Sequence, residues 1–184
     1  MKNSISFIDY IKSDMEVRPN LKHVTLGHFL KMYFTSPTFR FQVWLRISHA
    51  CKKSKLILYS PIGIYSFWRF RNLEYKYGIH IGTHIHIGKG LHVVHGDGVY
   101  VNAKSIGDNF TVYQNVTFGS INDIKKPTIG NGVTVNPGAV IYGDVYLHDN
   151  CVVGANSVVN KDIEENDIVA GAPARSIMKK IRNE

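Results

Sequence analysis

Residues 129–159 read IGNGVTVNPGAVIYGDVYLHDNCVVGANSVV. A large aliphatic side chain returns every six positions, at Ile129, Val135, Ile141, Leu147, Val153 and Val159. A second small or apolar residue follows four positions after each of the first five leads, at Val133, Ala139, Val145, Cys151 and Ser157. A helix needs a period of about 3.6 and an amphipathic strand a period of about 2. A period of six fits neither. It fits short strands joined by tight turns, three to a coil, stacked as a parallel β-helix. The leads then point into a prism and stack on their counterparts in the next coil. Glycine and Asn/Asp at Asp108-Asn109, Asn131-Gly132 and Asp149-Asn150 supply the turns.

The same phase runs outward from this stretch. Upstream leads are Ile81, Ile87, Val93 and Val99, then, after one extra residue, Ile106, Val112 and Phe118. A longer interruption spans Ser120 to Thr128. The leads predict four to five coils, each completing its neighbour's hydrogen bonds and core. An ordinary β-sandwich would not keep a six-residue phase.

The chain has 184 residues and a formal net charge of +8. Residues 1–78 hold 13 Lys/Arg against 4 Asp/Glu, whereas residues 79–184 hold 9 against 10. The excess therefore lies wholly in the lead segment. Two cysteines, Cys51 and Cys151, exclude a disulfide framework and a Cys-built zinc site. No basic-then-apolar leader is present, and no stretch has the length and apolarity of a spanning helix. A cytoplasmic location is expected.

Five histidines fall between residues 80 and 95. His80, His86 and His92 share one phase of successive repeats, so they belong on three different sides of the prism. They cannot converge on a metal, and none is expected. His84, His86 and His92 read as outward polar positions. His95 differs, because the glycines of His95-Gly96-Asp97-Gly98 interrupt the apolar pattern. A histidine at such a bend can take a proton from a hydroxyl, though spacing alone equally allows a turn residue without a role.

The Ile-Gly repeats, as at Ile81-Gly82 and Ile129-Gly130, resemble the left-handed β-helix of the hexapeptide-repeat acyltransferases. The segment from Gly90 to Asn102 is similar to the catalytic segment of serine acetyltransferases and related polysaccharide O-acetyltransferases. Matches continue at Gln114–Gly119, Ile129–Val133, Gly154–Val159 and Ala170–Arg175, so the resemblance covers about residues 75–180. It implies that His95 is a general base activating a hydroxyl toward acetyl-CoA. It places His80, a second catalytic candidate, where serine acetyltransferases carry the Asp paired with that histidine, so either His95 works without that carboxylate, or another group such as Asp97 substitutes, or His80 does a different job. Asp97 and Asn102 are then substrate contacts. Gly119, Ala139, Gly154 and Ala155 would meet coenzyme A largely through backbone, and Arg175 and Lys180 its phosphates. The family's cofactor groove between subunits implies a homotrimer. The serine enzymes carry an Arg-His pair in the loop before Pro127, and Ser120–Lys126 lacks both. That departure favours a sugar hydroxyl of a surface polysaccharide over serine, which stands as the alternative. A γ-carbonic-anhydrase-like metalloenzyme and a non-catalytic scaffold are the readings from other classes.

The expected organisation is a helical segment over residues 1–78, the β-helix over 79–175 and a tail over 176–184. Leu26, Phe29, Leu30, Tyr33 and Phe34 have helical spacing. Pro37 ends that helix, a second runs from Thr38 to about Lys53, and Pro61 with Gly63 weakens residues 56–70 as a single helix. This segment is read as a cap that packs on the first coils and builds oligomer contacts. Its aromatic and cationic residues also suggest a peripheral contact with the inner membrane face. Nucleic acid is not expected as a partner, since no binding motif is present and the repeat is near neutral.

Overall fold

The computed structural model describes residues 6–18, 21, 23–122 and 124–177. Among the described residues five helices precede the coils: α1 (Phe7–Glu16), α2 (Leu26–Thr35), α3 (Pro37–Lys52), α4 (Lys55–Leu58) and α5 (Pro61–Tyr77). Pro37 and Pro61 open helices, standing at a first position where the absent N–H costs nothing. Ser36 and Ser60 cap them. The stretch 56–70 is thus two helices. The sequence reading missed α1, whose Ser6 and Asp9 form a capping box.

Gly78 ends α5 in the left-handed region, and the coils begin at once. The first coil holds β1 (Ile79–Ile81), β2 (His86–Ile87) and β3 (His92–Val93). The second holds β4 (Val99–Val101), β5 (Ser105–Ile106) and β6 (Thr111–Val112). The third holds β7 (Thr117–Gly119), β8 (Thr128–Ile129) and β9 (Thr134–Val135). The fourth holds β10 (Val140–Tyr142), β11 (Tyr146–Leu147) and β12 (Val152–Val153). The fifth holds β13 (Val158–Val159), a bridge at Ile163, and β14 (Ile168–Ala170). β15 (Arg175–Ser176) then folds back antiparallel on β14 and closes that end.

The other pairings between these strands are parallel, and they form three sides: β1-β4-β7-β10-β13, β2-β5-β8-β11 and β3-β6-β9-β12-β14. This is the parallel β-helix of about five coils that the six-residue phase predicts, with a helical segment in front. The leads are buried in one continuous core, and each such side chain contributes about 1.5–3 kcal/mol.

The register departs from the sequence reading at one point. Ile81 pairs with Val101, and Val101 with Phe118. Val101, not Val99, is therefore the second-coil lead. The extra residues lie in the turn 94–98, so the chain bulges outward at His95.

A first coil leaves an exposed row of backbone groups, and the helices cover it. Arg46 (α3) donates to the carbonyls of Ile87 and Gly88. Gln42 donates to the carbonyl of Leu91. Asp14 and Ser13 (α1) accept from the N–H of Leu91 and Gly90. Phe41, Leu45, Phe70 and Leu73 extend the prism's apolar interior over that end. A second small core joins Ile11, Met15, Phe39 and Val43.

Candidate functional site

His95 is exposed on the enlarged turn between the third side and the next coil's first side. Asp97 beside it has φ 63°, the left-handed region. Gly98 lies over Asn115, and a Cβ there would meet Asn115 Oδ1 at 2.4 Å. This packing holds the turn open. The His95 ring lies 6.4 Å from that of Tyr113, one coil on. Next to Tyr113, Gln114 carries a buried Oε1 with no partner among the described residues. Buried acceptors are usually bonded, and Arg18 Nε and His49 Nε2 are further buried atoms without a partner among the described residues.

The same corner carries Asn136 in the third coil and Gly154 and Ala155 in the fourth. Three coil spacings separate His95 from Gly154, about 14 Å at the usual strand spacing. A Cβ on Gly154 would come within 3.0 Å of Ala170 Cβ and 3.1 Å of the Val169 carbonyl. Ala155 is exposed, and Arg175 is exposed with its guanidinium on the Ala174 carbonyl. Lys180 lies outside the described residues.

Ala139 is corrected as a cofactor contact. It is fully buried, its N–H donates to the Asn136 carbonyl, and its own carbonyl accepts from Thr117. No part of it is free to meet a ligand. Cys151 is buried as well, and burial pushes its thiol up to about 12, far from a working nucleophile.

His80 occupies the middle of the first side. Its Nδ1 lies 3.8 Å from Glu74 Oε1 of α5, an ion pair when His80 is protonated. Tyr75 and Tyr100 flank its ring, each 6.1 Å away. Burial pushes the Glu74 carboxyl above its ordinary range, against the pull of Arg71 and His80. Among the described residues no hydrogen bond or ring contact joins His80 to His95, and none joins Asp97 to His95. The carboxylate nearest His80 thus comes from the helical segment, which the sequence reading did not consider. His80, Asn102, Arg71, Glu74, Tyr100 and Lys126 line a cleft of about 410 Å³. Asn102 donates to Ser120 Oγ there. Gly119 follows on the same edge, one coil along. The candidate residues therefore fall on opposite edges of the first side, His95, Gly154 and Ala155 on one, Asn102, Gly119 and Lys126 on the other.

The remaining histidines divide. His84 and His86 are exposed, as read from sequence. His92 is half-buried beneath the helices, and burial with the nearby Arg18 lowers it to about 4. It is a neutral packing residue. His49 on α3 is lowered to about 4 for the same main reason, burial. Among the described residues no three His, Cys, Asp or Glu side chains are placed to hold a metal ion.

Residues 126–161 match the family model of the bacterial transferase hexapeptide, six repeats. A serine acetyltransferase of Helicobacter pylori is 39% identical over 106 residues, 55% of this chain and 62% of the relative. One of Staphylococcus aureus is 36% identical over 104 residues, 54% of this chain and 49% of the relative. The chain thus spans less than two thirds of the curated relatives it matches. In fold, it superposes on a serine acetyltransferase in complex with CoA with TM-score 0.74, at 23% identity over 94% of this chain and 70% of that one. A soybean serine acetyltransferase complexed with serine gives 0.76 at 22% identity, with the same coverage.

These relatives correct the expected acceptor. The sugar reading rested on an Arg-His pair missing from one loop, and the relatives named above are serine acetyltransferases. One residue pair in an irregular loop weighed less than the match along the coils. Residues 126–161 thus carry the bacterial transferase hexapeptide repeat, and the coils are similar in sequence to those of serine acetyltransferases.

Proposed function

We propose that the protein is an acetyl-CoA-dependent acyltransferase whose acceptor is the hydroxyl of serine. The observation that carries the reading is His95, exposed on an enlarged turn in coils similar to those of serine acetyltransferases. His95 takes the hydroxyl proton as the oxygen attacks the thioester carbonyl. The tetrahedral oxyanion collapses, the C–S bond breaks, and the imidazolium returns the proton to the leaving thiolate. Backbone N–H groups around Gly119 are candidate oxyanion donors. Gly154 and Ala155 would line the coenzyme A arm, with Arg175 at its phosphates.

Serine brings a carboxylate that needs a cation. Lys126 lines the cleft beside Asn102, so a cation is available without an arginine in the loop, whereas Arg71 on the same cleft is paired with Glu74. The cleft and His95 lie on different edges of one prism. A site using both requires adjacent copies, which supports a homotrimer. Asp97 and Asn102 are then substrate contacts from two neighbours.

The test is thiol release from acetyl-CoA with L-serine, alongside mass-spectrometric detection of O-acetylserine. His95→Ala should lower turnover at least 100-fold without changing the oligomer mass in light scattering. A folded wild-type protein that releases no thiol with serine would overturn the reading.

A further inference from the structure

We propose that the outer face of α2, α4 and α5 docks on an anionic lipid bilayer. The proposal stands apart from the acyl-transfer reading. Large apolar side chains crowd this surface: Leu56 is 86% exposed, Tyr59 76%, Ile62 73%, Trp68 58%, and Phe34 of α2 70%. Scattered exposed apolar residues need no explanation, but a contiguous set does.

Contiguity is visible in the aromatic contacts. Phe34 packs edge-on against Tyr33 at 5.5 Å. The Trp44 indole N–H donates to the Tyr33 hydroxyl at 2.9 Å. The Trp44 ring meets Tyr65 at 5.7 Å, and Tyr65 meets Trp68 at 5.9 Å. One run of rings therefore links α2 to α5 across α3. Gly63 locks α4 against α5, since a Cβ there would lie 2.2 Å from the Ile57 carbonyl. The face is built as one rigid surface.

Charge selects the occupant. Residues 17–73 hold ten Lys/Arg and no Asp or Glu. Lys52, Lys53 and Lys55 are exposed beside the apolar residues of α4. A second copy meeting this face through the same face would set cation against cation with no carboxylate to pair. A bilayer carrying anionic headgroups offers an apolar layer below a negative surface, which suits rings and aliphatics flanked by lysines. No helix among the described residues is long and apolar enough to cross a membrane, so the helices would lie on the surface.

The experiment is co-sedimentation of the full chain with vesicles of phosphatidylcholine alone and with about a third phosphatidylglycerol. Binding is expected to the anionic vesicles, weakening with salt. Ile62→Ser with Trp68→Ser should lower partitioning at least tenfold. Lys52→Gln, Lys53→Gln and Lys55→Gln should each lower it about fivefold. Both sets lie at exposed positions, and an unchanged melting temperature checks the fold. The proposal is overturned if the wild type does not sediment with anionic vesicles, or if the serine variant binds as well as wild type. It is also overturned if light scattering shows that this variant dissociates a larger assembly while vesicle binding is unchanged, because the face then serves a second copy. Acetyl transfer in solution is read separately, so either reading can fail alone.

Discussion

Arg46→Met tests how the helices hold the first coil. Arg46 and Asp14 are almost fully buried, at 3% and 1% side-chain exposure. The guanidinium donates to both Asp14 oxygens, at 2.9 and 2.8 Å, and to the carbonyls of Ile87 and Gly88, at 3.0 and 2.7 Å. Asp14 in turn accepts from the Leu91 N–H at 2.8 Å. Methionine fills similar space but leaves the buried carboxylate without its paired cation and two carbonyls without partners. An uncompensated buried charge costs about 3–5 kcal/mol, and each orphaned carbonyl about 1–3 kcal/mol. These do not simply add, because Asp14 can take up a proton and water can reach a loosened coil end. We expect a loss of about 3–5 kcal/mol, set against a total near 5–15 kcal/mol for a typical fold.

The assay is equilibrium urea unfolding followed by far-UV circular dichroism, with amide exchange across residues 79–94. Exchange in the first coil should accelerate most, since that coil loses its cover. Pairing the change with Asp14→Asn should cost about 2 kcal/mol less than the two single losses together, because no unpaired charge remains. If Arg46→Met costs under 1 kcal/mol, or the two losses add, the cap is not held by this network.

Three further predictions follow from the geometry. His49 and His92 are held to about 4, below the ordinary 6.5, so both are neutral in the folded chain. Their depressed values mean the unfolded chain binds more protons between those limits. Stability should therefore be full above about pH 6.5 and fall as the pH drops toward 4, by about 2–3 kcal/mol for His49 and less for the more exposed His92. Replacing each with Gln should flatten the urea midpoint against pH. Gly138→Ala places a Cβ 2.1 Å from Asn156 Oδ1 at φ 74°, and should lower the melting temperature by several degrees, about 1–2 kcal/mol. Lys126→Ala should raise the KM for serine several-fold with kcat little changed, and an unchanged KM would remove Lys126 from the acceptor site.

The coils were legible because every sixth residue is buried and the spacing repeats along much of the chain. Local irregularity was harder to read. Val99 and Val101 are both buried, so hydrophobicity alone could not choose the second-coil lead, and only the pairing of Ile81 with Val101 settles it. The helix α1 was missed although Ser6 and Asp9 stand at capping-box spacing before Ile11 and Met15. That signal was available. The partnership of Asp14 with Arg46 was not, because 32 residues separate them and a charged side chain reads as solvated by default. His92 was misread for a related reason. Its repeat position faces outward from the prism, but the helices cover that side. The acceptor was misread because substrate choice rests on a few loop side chains, where a lysine can take a charge role without matching the expected pattern.

The basic excess follows from the joining of helices to coils. The exposed backbone of the first coil needs partners, and carbonyls need donors. Arginine brings five N–H groups on one rigid fork and can satisfy several carbonyls at once. Arg46 does so at Ile87 and Gly88, and Arg40 does so at the carbonyls of Tyr33 and Phe34 while reaching the Tyr77 hydroxyl. Carbonyl groups carry no formal charge, so each arginine used this way adds to the net charge without an acid to balance it. Asp14 is the exception, kept because its Oδ1 also accepts from Leu91. Lys52 donates to Thr83 Oγ1 of the first coil, whereas Lys53 and Lys55 are exposed beside the apolar residues of α4. Arg46, balanced by Asp14, closes the end of the prism, Arg40 ties the carbonyls at the end of α2, and the exposed lysines face whatever the helical surface meets. These roles separate experimentally: neutralising Arg40 or Arg46 should lower stability, whereas neutralising Lys53 and Lys55 should leave stability unchanged and alter only surface binding.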